Sequence, residues 1–166
     1  MNIEFLEATD LAQFQQLAVA ADEIWSEYYP ALLTPEQIRY MVERFHAPET
    51  MERQMREEGY RYFLVLEHGE LLGYLAVKPE EGKLFLSKAY LKKTHRGRGY
   101  FSRMLAFIED IARERGLSAI YLMVNKDNAN SIAVYCKKGF LIDREQIVDI
   151  GSGFAMDDYV MEKRLE

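Results

Sequence analysis

The stretch "KLFLSKAYLKKTHRGRGYFSRMLAFIEDIARERGLSAIYLMV", residues 83–124, changes its hydrophobic period twice. "KLFLSKAYL" reads as a strand. Phe101, Met104, Leu105, Ile108, Ile111 and Ala112 then recur at helical spacing until Gly116 supplies a stop, and "LSAIYLMV" reads as a buried strand. A helix flanked by two strands about thirty residues apart is a crossover, which brings the chain back in its original direction. The two strands are therefore expected to run parallel, whatever the remainder of the sheet does.

The other elements fit around this unit. "IEFLEAT" is a short strand, and Thr9 and Asp10 offer caps for a helix running to about "IWSEYY". "LTPEQIRYMVERF" predicts a second helix with Thr34 as N-cap, Pro35 at the first helical position and Gln37 completing a capping box. "APETMERQMREEG" extends the helical region to Gly59. The period then changes: "YRYFLVLE" and "ELLGYLAVK" join "KLFLSKAYL" as strands, linked by the turn signals "HG" and "PEEG" into an antiparallel meander. "NANSIAVYCKKG" is a shorter helix ended by Gly139, and "FLIDREQIVDI" and "FAMDDYVMEKRL" close the chain as a hairpin around "GSG". The expected architecture is a mixed sheet with helices on its faces.

Length and composition set the bounds. A chain of 166 residues suits one domain, residues 1–166, and 49% hydrophobic content with only 4 prolines describes a globular chain with no disordered tract. No apolar run is long enough to span a bilayer, and "MNIEFLEATD" has neither the basic flank nor the apolar core of a secretory signal. A cytoplasmic location away from membranes is the expectation, in keeping with the single Cys136. The net charge of −6 disfavours nucleic acid as a partner and suits a cationic one. His46, His68 and His95 are scattered away from metal-ligand spacing, so no metal site is expected.

The segment "HRGRG" carries the functional argument. A glycine-rich helix start offers backbone N–H groups, the positive end of the macrodipole and close approach of the main chain, and Arg96 and Arg98 add charged donors. Such a site suits a phosphate; a solvated basic loop capping a helix is the plainer alternative. The two nucleotide-binding motifs that use similar glycines do not fit. A Walker loop needs a Lys-Ser/Thr pair where Tyr100 and Phe101 stand, and a dinucleotide fingerprint needs glycine where Ser102 stands.

Arg96-Gly97-Arg98-Gly99-Tyr100-Phe101 resembles instead the pyrophosphate loop Q/R-x-x-G-x-G/A of the GNAT superfamily of acyl-CoA N-acyltransferases, with Phe101 replacing the usual small residue. Ala89, Tyr90 and Leu91 stand where the fourth strand of that family ends, and Asn128, Ser131, Tyr135, Gly139 and Phe140 match its N-x-x-A/S-x-x-x-Y-x-x-x-G-F segment. The resemblance implies an α/β (α+β) fold with a mostly antiparallel seven-stranded sheet and a splayed parallel strand pair. It implies acetyl-CoA as cosubstrate, with Ala89, Leu91, the residues from Arg96 through Gly97, Arg98, Gly99, Tyr100 and Phe101 to Ser102, and Asn128, Ser131 and Tyr135 as its binding residues.

Aminolysis of a thioester requires a fixed donor for the developing oxyanion, and the resemblance assigns this to the backbone amide of Leu91 or its neighbour. The departing thiolate, with a pKa of roughly 8.5, takes a proton readily from a tyrosine hydroxyl, which is still protonated at neutral pH. Tyr135 occupies that position. Taken alone, Tyr135 reads more readily as a half-buried anchor for its helix, and only the surrounding motif turns the reading to catalysis; Cys136, rotated by about 100° from it, is expected in the core with Ala129, Ile132 and Ala133.

The implied reaction joins an acetyl group to a primary amine of a polyamine, peptide N-terminus or lysine, with both substrates held together. Trp25, Glu27, Tyr28 and Tyr29, together with Asp149 and Asp157 of the C-terminal hairpin, are candidates for the acceptor side, and Asp158 joins Glu27 and these two as a candidate base. For the aromatic residues, packing of the first helix on the core is the competing reading. The layout "IWSEYY…LTPEQIRYMVERF" is similar to the bacterial spermine/spermidine N-acetyltransferase branch. The different class of function to be separated from catalysis is an acyl-CoA sensor that binds without turnover; a homodimer is compatible with either.

Overall fold

A computed structural model describes residues 1–166. The order of elements is β1 (Ile3–Glu7), α1 (Leu11–Tyr28), α2 (Pro35–Phe45), α3 (Pro48–Glu57), β2 (Arg61–Glu67), β3 (Glu70–Pro79), β4 (Lys83–Leu91), α4 (Tyr100–Glu114), β5 (Ala119–Asn125), α5 (Ala129–Lys137), β6 (Leu141–Gly151) and β7 (Phe154–Arg164). Short 3-10 turns lie at Tyr29–Ala31 and Lys93–His95. The sheet has seven strands in the order β1-β2-β3-β4-β5-β7-β6. Pairs β1/β2, β2/β3, β5/β7 and β6/β7 are antiparallel, while β4/β5 is parallel over Lys83–Phe85 and Ala119–Tyr121. The crossover expected from residues 83–124 thus produces the one parallel pair.

Packing gathers the chain into two compact units, Met1–Lys78 with Lys88–Ile108, and Pro79–Ser87 with Glu109–Glu166. In the first, α1 presents Phe14, Leu17, Ala21 and Ile24 at helical spacing to Met51 of α3 and to Tyr62, Leu64, Tyr74 and Ala76 of β2 and β3. All nine are at most 2% exposed, and each large aliphatic side chain contributes on the order of 1.5–3 kcal/mol by leaving water. Asp10 starts α1 with a complete capping box, accepting from Gln13 N at 2.9 Å while the Gln13 side chain takes the Asp10 N–H.

At α2 the sequence expectation needs correction: Thr34 accepts from Gln37 N, but the Gln37 amide reaches forward to Met41 Sδ instead of back to the cap. The helical region also breaks at His46 and Ala47, and Pro48 starts α3 as a separate helix. The β2–β3 hairpin turns on His68 and Gly69, with φ +51° and +79°, the paired left-handed conformation that a two-residue hairpin prefers.

In the second unit β7 lies between β5 and β6, and the β6–β7 hairpin turns on Ser152 and Gly153, with φ +54° and +80°. Helix α5 packs by a face other than the one read from sequence. Tyr135 is buried, whereas Cys136, Ala129 and Ala133 are exposed. In a short helix with small apolar residues all round, the aromatic ring and the buried cap Asn128 decide the orientation, and Tyr135 packs edge-on against Phe140 at 5.3 Å.

Candidate active site

The first unit contains the glycine-rich loop. After β4 the chain makes the 3-10 turn Lys93–His95, and Gly97 and Gly99 take φ +71° and +88° on either side of Arg98 before α4 begins at Tyr100. The two left-handed glycines bracket Arg98 directly before the 15-residue α4, whose N-terminus adds the positive end of its dipole. Only glycine adopts this backbone without strain. The loop is anchored by side chains. Tyr100 donates to Glu67 Oε1 at 2.6 Å, Arg98 Nη1 donates to the Thr94 carbonyl at 3.1 Å, and Arg96 Nε donates to the Leu91 carbonyl at 3.0 Å.

Arg96 also pairs with Glu27 at 2.7 Å and lies over the Tyr28 ring at 5.0 Å, and Lys92 pairs with Glu23 at 3.2 Å. The acidic residues at the end of α1 are therefore already matched by cations of the loop. Trp25 and Tyr29 stack at 4.2 Å and are 5% and 8% exposed, so they form a wall of the core, and Tyr28 remains half-buried beside the ion pair.

The end of β4 is held in place by features that sequence reading did not single out. The β2–β3 register slips between Val65 and Leu66, which leaves Leu72 as the extra residue of a bulge, and the Leu72 carbonyl accepts Lys92 N at 2.8 Å. Next to it, the missing side chain of Gly73 makes room for β4: a methyl group there would strike the Tyr90 carbonyl and come within 3.1 Å of Leu91 Cα. A lone glycine within a strand pattern was the available signal. Leu91, 5% exposed, has its carbonyl held by Arg96, and the amide of Lys92 that follows it is taken up by the Leu72 carbonyl.

Lys88 of this strand belongs to a buried polar cluster that no local sequence pattern announces. Lys88 Nζ donates to Tyr62 Oη at 3.0 Å, and Tyr62 passes a hydrogen bond to Gln54 Oε1. Burial pulls the Lys88 ammonium down to about 8 and drives the Tyr62 phenol up. His46 Nε2 and Tyr74 Oη meet at 3.1 Å, and burial first, then Lys88, holds His46 well below its usual range, which keeps it neutral.

In the second unit Asn128, 4% exposed, caps α5 by accepting from Ser131 N at 3.3 Å, so it precedes the helix that carries Ser131 and Tyr135. Asp149 accepts Gly151 N at 2.8 Å and shapes the hairpin turn, while Asp157 pairs with Lys126 at 2.8 Å. Lys126 also takes Glu145 at 2.9 Å. Asp158 is buried at 3% exposure. Nowhere do three or more His, Cys, Asp or Glu side chains gather in a way that could hold a metal ion.

Comparison with known proteins assigns the class. The profile of the acetyltransferase (GNAT) family matches residues 18–140, and the chain belongs to that family. A spermidine N(1)-acetyltransferase of Thermoplasma acidophilum is 24% identical over 170 residues, covering 100% of this chain and 99% of that protein. Among solved structures, the PaiA N-acetyltransferase from T. acidophilum in complex with coenzyme A superposes with a TM-score of 0.82 at 21% identity, over 99% of this chain and 100% of that one. A GCN5-related N-acetyltransferase from Rhodopseudomonas palustris gives 0.83 at 14% identity, over 99% and 97%. The protein is an acyl-CoA-dependent N-acetyltransferase.

Proposed function

We propose that the chain transfers an acetyl group from acetyl-CoA directly to a primary amine, with a polyamine as the leading acceptor, in a complex that holds both substrates. The observation that carries the reading is the loop of Arg96 to Ser102, whose two left-handed glycines and following helix suit a pyrophosphate. The full-length likeness to a protein named as a spermidine N(1)-acetyltransferase supports the acceptor class, as does the net charge of −6.

In this reading Gly97, Gly99 and the first turn of α4 cradle the phosphates, with Arg96 and Arg98 as flanking charge. Ala89 and Leu91 present backbone to the acyl end, and the Leu91 amide stabilises the oxyanion, an interaction worth about 2.7–4 kcal/mol when preorganised. Asn128 and Ser131 support the pantetheine side. Tyr135 protonates the departing thiolate, because a phenol near 10 still carries its proton at neutral pH and a thiol near 8.5 leaves better when it receives one. Of the acceptor-side candidates on α1, Glu27 is exposed and Tyr28 half-buried beside the buried Trp25–Tyr29 stack, while Asp149 and Asp157 are exposed on the C-terminal hairpin.

Two variants separate the roles. Tyr135→Phe should lower kcat by about 100-fold and leave the acetyl-CoA dissociation constant within about twofold, measured by steady-state kinetics and calorimetric titration. Gly99→Ala should weaken acetyl-CoA binding by about tenfold, since forcing an alanine left-handed costs about 1–2 kcal/mol. Full turnover in the first variant removes Tyr135 from the chemistry, and unchanged binding in the second removes the loop from the phosphate site.

A further inference from the structure

The hydrogen bonds of Arg96 run to the protein itself. Its Nε donates to the Leu91 carbonyl at 3.0 Å and its Nη1 meets Glu27 Oε1 at 2.7 Å, while its Cζ lies 5.0 Å from the centre of the Tyr28 ring. Contacts from two elements, the end of β4 and the end of α1, therefore fix one planar group. A guanidinium can do this because its N–H groups form a rigid fork that serves two acceptors at once, whereas an ammonium is a single point charge. The other loop arginine is placed differently. Arg98 is exposed, and its contacts, the Thr94 carbonyl at 3.1 Å and the Tyr100 ring at 5.6 Å, stay within the loop and the first residue of α4. Glu23, the other paired acid near this end of α1, meets Lys92 at 3.2 Å and has no part in the chain of contacts from Glu27 through Arg96 to Leu91.

We propose that Arg96, seated by Glu27, is a positioning residue that sets the end of β4 for acyl transfer, and that toward the phosphates it acts only as flanking charge. The role rests on the acetyltransferase reading above, in which Leu91 presents backbone to the acyl end. The contacts around Leu91 support it. The Tyr90 carbonyl packs so closely on Gly73 that a methyl group there would strike it, and the Lys92 amide is taken by the Leu72 carbonyl at 2.8 Å. Between these two points the Leu91 carbonyl is taken by Arg96. The backbone at Leu91 is thus held by β3 on two sides in sequence and by α1 through the guanidinium. Attack on a bound thioester is sensitive to such placement, since a misplacement of about 1 Å can cost about 100-fold in rate. Glu27 acts one step further out: it orients Arg96, and in this role it neither binds the amine nor moves a proton.

The test combines steady-state release of CoA thiol from acetyl-CoA and spermidine with calorimetric titration of acetyl-CoA. Arg96→Lys keeps the charge and loses the fork, so it should lower kcat by about tenfold or more and leave the acetyl-CoA dissociation constant within about twofold. Glu27→Gln should lower kcat by about three- to tenfold, leave the spermidine KM within about twofold and keep the shape of the pH profile of kcat. The double variant should be no slower than Arg96→Lys alone, because the two side chains act in series. Glu23→Gln, on the neighbouring pair, should match the wild type throughout.

An Arg96→Lys variant that binds acetyl-CoA at least about tenfold more weakly with kcat intact would make Arg96 a phosphate ligand. A Glu27→Gln variant that raises the spermidine KM with kcat intact would make Glu27 an acceptor ligand, and one that loses a limb of the pH profile would make it the base. Losses that multiply in the double variant would mean that the two side chains act separately. Each of these results overturns the proposal while the acetyltransferase reading stands. A wild type that turns over neither spermidine nor peptide amines overturns the reading on which it rests.

Discussion

Lys88 carries an ammonium into a buried site beside His46, where it donates to the Tyr62 hydroxyl at 3.0 Å and lies 5.2 Å from the centre of the Tyr62 ring. Its pKa of about 8 makes stability pH-dependent with a definite sign. Between about 8 and 10.5 the unfolded chain holds the proton more tightly than the folded one, so stability rises across that window and is lost as pH falls through 8. Chemical denaturation at pH 7.5 and pH 10 should show the folded state gaining at the higher value, and Lys88→Met should remove the difference and raise the midpoint at pH 7.5. A wild type whose stability falls steadily over the same range contradicts this account of Lys88. Asp158 has the opposite sense. Its raised carboxyl stabilises the folded state below about 3.8, and that contribution is lost as pH rises through 6, so Asp158→Asn should unfold at a higher temperature than the wild type at pH 7.5 and at nearly the same temperature at pH 4.

At the scale of elements, strand β4 is the piece on which the rest depends, and its end is set by its neighbour β3. Gly73→Ala would push a methyl group into the Tyr90 carbonyl and Leu91 Cα, atoms that cannot move without shifting the strand. The expected result is a loss of about 2–4 kcal/mol in stability, read by denaturant titration, together with a fall in kcat at saturating acetyl-CoA. An alanine variant with native stability would mean that β3 and β4 are not in the close contact described. This dependence was hard to read from sequence, because a close approach is a property of two strands, whereas periodicity reports on one. The crossover from β4 through α4 to β5 was legible for the converse reason: its evidence, a period-2 run, a glycine-rich break, a period-3.6 run and a second apolar run, is local to residues 83–124. Helix α5 shows the limit of local reading, since nine residues with apolar side chains on several faces do not choose between Cys136 and Tyr135 as the inward side.

For the whole molecule, the order of seven strands and five helices and the match of the family profile to residues 18–140 agree with the class that the loop and the Tyr135 segment suggested. The acceptor side was less legible. Trp25 and Tyr29 turned out to be core, and Glu27 is paired with the loop arginine Arg96, because a helix that ends beside a basic loop neutralises its charges locally. The buried groups that carry unusual chemistry, Lys88, His46 and Asp158, sit in strands or at a helix end where their neighbours come from distant parts of the chain. The central claim is amine-dependent acetyl transfer. The most direct measurement is the release of CoA thiol from acetyl-CoA with and without spermidine, with the acetylated product identified by mass. The account predicts release that requires spermidine, in step with one acetyl group gained per thiol freed. Acetyl-CoA that binds and stays intact whichever amine is added would contradict it.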